Sequence, residues 1–76
     1  MARVIVTNRS GRPVNGARVN ANTITRFLFA DYDKNGTTDQ KGVCELSNGE
    51  NRYYILVNGT RVETVNKLYG TIEVTV

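Results

Sequence analysis

Four oxygen-bearing side chains, Asp31, Asp33, Asn35 and Asp39, fall within the stretch DYDKNGTTDQKG, residues 31–42, with Gly36 among them. An EF-hand loop uses this spacing for its first, third, fifth and ninth ligands, around a turn glycine at the sixth position. Such a loop also needs a bidentate Glu at its twelfth position. Here that position is Gly42, which offers no side-chain oxygen. No helical periodicity flanks the stretch either. Turn chemistry explains the same letters, with Asn35-Gly36 as one tight turn and Asp39 to Gly42 as another. The expectation is therefore turns and no cofactor. A calcium loop at Asp31, Asp33, Asn35 and Asp39 is the alternative.

Other reactive groups are few. Cys44 is the only thiol, and the chain has no histidine, so the usual general base and the commonest metal ligand are both missing. A reactive cysteine needs a basic neighbour and exposure. Alternation after Gly42 instead turns Cys44 and Leu46 inward, as small core hydrophobes. Asp31 and Asp33 are the only close pair of carboxylates, and they sit beside turn residues rather than in an apolar setting. No stretch matches the glycine-rich phosphate loops GxxxxGK[ST] or GxGxxG. With no catalytic residue to name, the chain is not expected to be an enzyme.

The elements that carry these residues are short and extended. The chain of 76 residues reads as one domain, 1–76, with 39% hydrophobic residues, and a single cysteine excludes an internal disulfide. Asn-Gly pairs at 15–16, 35–36, 48–49 and 58–59 mark type I′ turns, because both residues tolerate positive φ. Between them the apolar residues alternate. ARVNAN sets Ala17, Val19 and Ala21 on one face, and RYYILVNG sets Tyr53, Ile55 and Val57 opposite Tyr54 and Leu56. Strands are predicted near 2–7, 17–22, 26–30, 36–38, 42–46, 52–58, 60–65 and 69–76, with 36–38 barely long enough to count. The expected fold is all-β: a small seven-stranded antiparallel β-sandwich without helix. An OB-like barrel is the alternative. Val4, Val6, Val14, Ala17, Val19, Cys44, Leu46, Ile55, Val57, Ile72 and Val74 should form the core.

Two motifs add to this periodicity. SGRPVNGARV, residues 10–19, supplies Gly11, Pro13, Val14, Gly16, Ala17 and Val19; TTDQKGVCEL, residues 37–46, supplies Thr38, Asp39, Gly42, Cys44 and Leu46. Together they resemble the pattern of carboxypeptidase regulatory-like (transthyretin-like) domains and bacterial Ig-like sandwich modules, and the resemblance runs from Val4 to Val76. It implies a non-catalytic structural, adhesion or interaction module, such as a surface-protein repeat, a stalk segment or a virion accessory domain. The physics of the motifs agrees. Pro13 presets φ at the corner after the first strand, and Asp39 can accept amide hydrogen bonds while Gly42 takes the left-handed position. The stretch from 22 to 36 departs from the pattern, which makes Arg26, Phe27, Phe29 and Tyr32 candidates for contact with a protein or glycan surface.

Charge offers the competing reading. Residues 1–30 carry Arg3, Arg9, Arg12, Arg18 and Arg26 and no acid, against a formal net charge of +3 for the whole chain. A small nucleic-acid binder would set these arginines against phosphates and stack bases on an exposed tyrosine. Solvated outward side chains explain the same residues, so nucleic acid is not the expected partner. The last strand, GTIEVTV, has Glu73 as its only charge, and an open edge of this kind invites pairing with a second copy or with the rest of a parent polypeptide. The start MARVIVTNRSG lacks the apolar core of a secretion signal, and no apolar run is long enough for a membrane helix. These features do not fix a location: extracellular or the cell surface is expected if the chain is one domain of a larger protein, and the cytoplasm or a virion otherwise.

Overall fold

The computed structural model describes residues 1–24 and 33–76. Seven strands are present there: β1 (Ala2–Thr7), β2 (Arg18–Thr23), β3 (Lys34–Thr37), β4 (Val43–Leu46), β5 (Tyr53–Val57), β6 (Thr60–Val65) and β7 (Thr71–Thr75). They form two packed sheets, one of order β4-β1-β7 and one of order β3-β2-β5-β6. This is a β-sandwich and not an OB-like barrel, because the strands divide between two sheets rather than closing into one. No helix occurs among the described residues, so none is long and apolar enough to cross a membrane. The predicted strand at 26–30 lies outside the described residues.

The sandwich is not wholly antiparallel, as the sequence had suggested. β1 pairs β4 antiparallel but pairs β7 parallel, with Val4 beside Ile72 and Val6 beside Val74. Hairpin signals dictate the direction of strands that follow one another. β1 and β7 come from opposite ends of the chain, and nothing local constrains their sense.

Alternation builds the core. Along β1, Ala2, Val4 and Val6 point inward; along β2 and β5, Val19, Ala21, Tyr53, Ile55 and Val57 do so. Each valine or isoleucine fully buried in this way contributes about 1.5–3 kcal/mol. Nine of the eleven predicted core residues are buried, while Val14 and Ile72 are half-buried against the cluster. Ala2, Ala21, Tyr53 and Leu68 complete it. Leu68 is held in place by an isolated bridge in which it and Gly49 exchange N–H···O bonds of 2.9 and 3.0 Å.

Only one Asn-Gly pair makes the hairpin that all four suggested. Asn58 and Gly59 have φ of 50° and 86° and join β5 to β6, as a type I′ turn requires. Asn35-Gly36 instead lies inside β3, where a Cβ on Gly36 would stand 2.6 Å from the Cys44 Sγ. Gly49 backs onto the buried Tyr53 ring. At both places glycine answers a need for space and not for a turn. Gly16, at φ 75°, bends the chain just before Ala17 and β2.

Candidate functional site

The conspicuous polar residues of the 37–46 motif form a clasp that ties the β1–β2 connection to the turn between β3 and β4. Thr38 is buried, its hydroxyl donates to the Val14 carbonyl at 2.6 Å, and the same oxygen accepts the Ala17 N–H at 2.8 Å. Its backbone repeats the tie, donating to the Ala17 carbonyl and accepting the Gly16 N–H. Asp39 then closes the turn into β4: one carboxylate oxygen accepts the Lys41 N–H at 2.8 Å and the Val43 N–H at 3.0 Å. The bond from Val43, then that from Lys41, holds the Asp39 carboxyl below the usual carboxylate range, and the Lys41 charge adds to the effect. Gly42 follows at φ 75°, where a Cβ would meet the Val6 carbonyl oxygen at 2.5 Å. Asp39 and Gly42 have the roles expected of them. Thr38 was named with the motif but given no role, since its partners lie more than twenty residues back in the chain.

The positions considered for calcium are dispersed. Asp31 lies outside the described residues. Asp33 accepts the backbone N–H and the hydroxyl of Thr23 at 2.8 and 2.9 Å, Asn35 is in mid-strand opposite Asn20, and Asp39 caps its own turn. β3 is extended, at about 3.3 Å per residue, so it carries these side chains apart instead of curling them around a centre. No described group of three or more His, Cys, Asp or Glu is placed to hold a metal ion. Arg26, Phe27, Phe29 and Tyr32 also lie outside the described residues.

Among the described residues, Arg3, Arg9, Arg12 and Arg18 are not gathered into one groove. Arg3 is on the outer face of the three-stranded sheet, where it reaches Glu45 at 3.4 Å; Arg18 is on the outer face of the other sheet. Arg9 and Arg12 are exposed in the β1–β2 connection. Cys44 is 2% exposed, and burial, with the Asp39 charge second, raises its thiol pKa. A shallow depression of about 310 Å³ opens beside Arg3, Glu45, Gly70 and Thr71.

That depression adjoins the start of β7, an edge strand. The Arg3 N–H donates to the Gly70 carbonyl at 2.7 Å and the Val76 N–H to the Thr7 carbonyl at 2.9 Å. In a parallel pair, N–H and C=O of a given residue face the same neighbour, and the facing alternates along the strand. Gly70, Ile72, Val74 and Val76 therefore bond toward β1. Thr71, Glu73 and Thr75 present their N–H and C=O groups to the open side, where no described strand pairs with β7. β6 is the other long edge, but it is broken by a bulge opposite Ile55 and Leu56 and carries Glu63 in the inward register. β3 and β4 are short and are tied together by the Thr38–Gly42 turn. β7 is the longest regular edge. Compared with family models, curated proteins and solved structures, the chain matches none.

Proposed function

We propose that the chain is a non-catalytic structural and interaction module that engages a neighbouring polypeptide by strand addition along β7. The unbulged edge at Thr71, Glu73 and Thr75 carries this reading, because unpaired strand backbone is a ready template for another strand. The polar side chains of the 37–46 motif support it, being engaged in fastening the β1–β2 connection and the turn into β4. A surface-protein repeat, a stalk segment or a virion accessory domain of the sandwich kind that the sequence resembles would use such an edge. Nucleic-acid binding is the less favoured reading, since Arg3 and Arg18 occupy opposite faces of the sandwich.

Proline scanning of the edge tests it. The Glu73 N–H faces outward, so Glu73→Pro removes a donor that β1 does not use. Val74→Pro removes one that β1 does use. In sedimentation at micromolar concentration the expected result is self-association that Glu73→Pro dissolves with little change in Tm, whereas Val74→Pro lowers Tm. A monomer whose C-terminal strand already resists protease overturns the reading.

A further inference from the structure

Away from the β7 edge, the outer face of the four-stranded sheet has a composition that the fold does not explain. β2 is a central strand, yet its outward positions are Arg18, Asn20 and Asn22. Asn20 stands between Asn35 on β3 and Leu56 on β5, and Asn22 stands beside Tyr54. Asparagine is among the residues least suited to strand interiors, where threonine or valine would do better. Among the described residues, none of the three amide side chains has a hydrogen-bond partner to justify it. Other asparagines here do have structural work: Asn8 accepts the Ser10 and Arg12 amides, and Asn58 accepts the Arg18 amide.

Charge gives the face a sign. Its outward strand positions hold Arg18 and Arg61, neither with a carboxylate partner among the described residues, while the acids at its margins are engaged elsewhere, Asp33 with Thr23 and Glu63 with the Thr64 N–H. The opposite sheet differs, for its outward Arg3 is already paired with Glu45. The Arg61 guanidinium lies over the Tyr54 ring at 4.7 Å, which orients it on the face while its N–H edge remains a bidentate donor for an oxyanion.

We propose that this face binds an acidic glycan, a chain of uronate sugars. Each amide both donates and accepts, as adjacent sugar hydroxyls do. Alternate positions about 7 Å apart along a strand and neighbours about 5 Å apart across strands give a grid of sugar-ring dimensions. Arg18 and Arg61 answer the carboxylates. A sheet holds these groups rigidly, so little ordering is required on binding. Single-stranded nucleic acid fits less well, because it needs bare aromatic faces. Tyr54 is the one aromatic among the outward positions of these strands, and Arg61 covers one side of it.

The test is an NMR titration of the intact chain with oligogalacturonate, run beside a neutral maltooligosaccharide and a mixed-sequence single-stranded oligonucleotide. Oligogalacturonate should shift the amides of Asn20, Asn22, Asn35, Tyr54 and Arg61, and added salt should weaken the effect. Arg61→Gln and Asn20→Thr should each weaken binding about tenfold, the equivalent of one good hydrogen bond. The double variant Asn20→Thr/Asn22→Thr should lose binding while its Tm stays level or rises, since threonine suits a strand better. Unchanged binding in that variant overturns the proposal, as do shifts confined to other surfaces or binding of the oligonucleotide alone. A fall in Tm alongside the loss of binding would make the asparagines structural and overturn it equally.

Discussion

Thr38 illustrates how one hydroxyl can fasten a connection that passes between two strands. It sits where β3 leaves the four-stranded sheet, and its oxygen serves the Val14 carbonyl and the Ala17 amide together. Thr38→Val keeps the shape and strands both partners, which predicts a loss of about 2–3 kcal/mol in urea or thermal unfolding, while Thr38→Ser should recover most of it. Asp39, next along, is exposed but fixed by two amides. Its folded pKa is lowered, so its contribution is present above the unfolded carboxyl pKa and is lost as pH falls through the folded one. Asp39→Asn keeps an acceptor oxygen and removes the titration. The expected outcome is a shallower acid limb in a plot of Tm against pH, with neutral stability nearly retained. These two residues also mark what the sequence discloses. Asp39 and Gly42 were legible because a turn is local chemistry. Thr38 was not, because its meaning depends on residues brought near only by the fold.

Among the elements, the same dipeptide has different outcomes. Asn58-Gly59 is flanked on both sides by apolar alternation, and a hairpin forms. Asn35-Gly36 and Asn48-Gly49 lack that flanking pattern, and tertiary contacts decide them: Gly36 gives room to Cys44, and Gly49 gives room to Tyr53. The backbone of Gly49 also holds Leu68 at 2.9 and 3.0 Å, so one residue seats two of the largest buried side chains. A Cβ at Gly49 would lie 2.5 Å from the Tyr53 Cζ, so the fully buried ring or the bridged backbone would have to move. Gly49→Ala should therefore cost about 1–3 kcal/mol through overpacking, read as a fall in Tm. Unchanged stability would mean that the ring can shift within the core. The parallel pairing of β1 with β7 was the element-level feature least visible in advance, for strand direction across the whole chain has no local signal.

At the scale of the molecule, the all-β class, the two-sheet architecture and most of the core were legible, because period-two burial is written directly into β-branched alternation. Of the surfaces that could meet a partner, the last strand was legible as an edge from GTIEVTV, and β7 does end its sheet. The amide face was not, because it depends on which strands are neighbours. The closed interior supplies a measure of the whole fold, since Cys44 is its only thiol, buried against Gly36 with its pKa raised. Burial and the Asp39 charge disfavour its thiolate, so a disulfide reagent should reach it only when the two sheets separate. A single hydrophobic core of this size supplies about 3–5 kcal/mol. Labelling should then be slower than in the denatured chain by on the order of a hundred- to a few-thousand-fold. The rate should follow the opening equilibrium, so Thr38→Val, which loosens the clasp, should accelerate it by roughly the same factor as its loss of stability implies. Conversely, if native Cys44 reacts as fast as in the denatured chain, the sheets are not packed as described. If Thr38→Val destabilises the fold without accelerating labelling, Cys44 is exposed by a local opening of β4 rather than by separation of the sandwich.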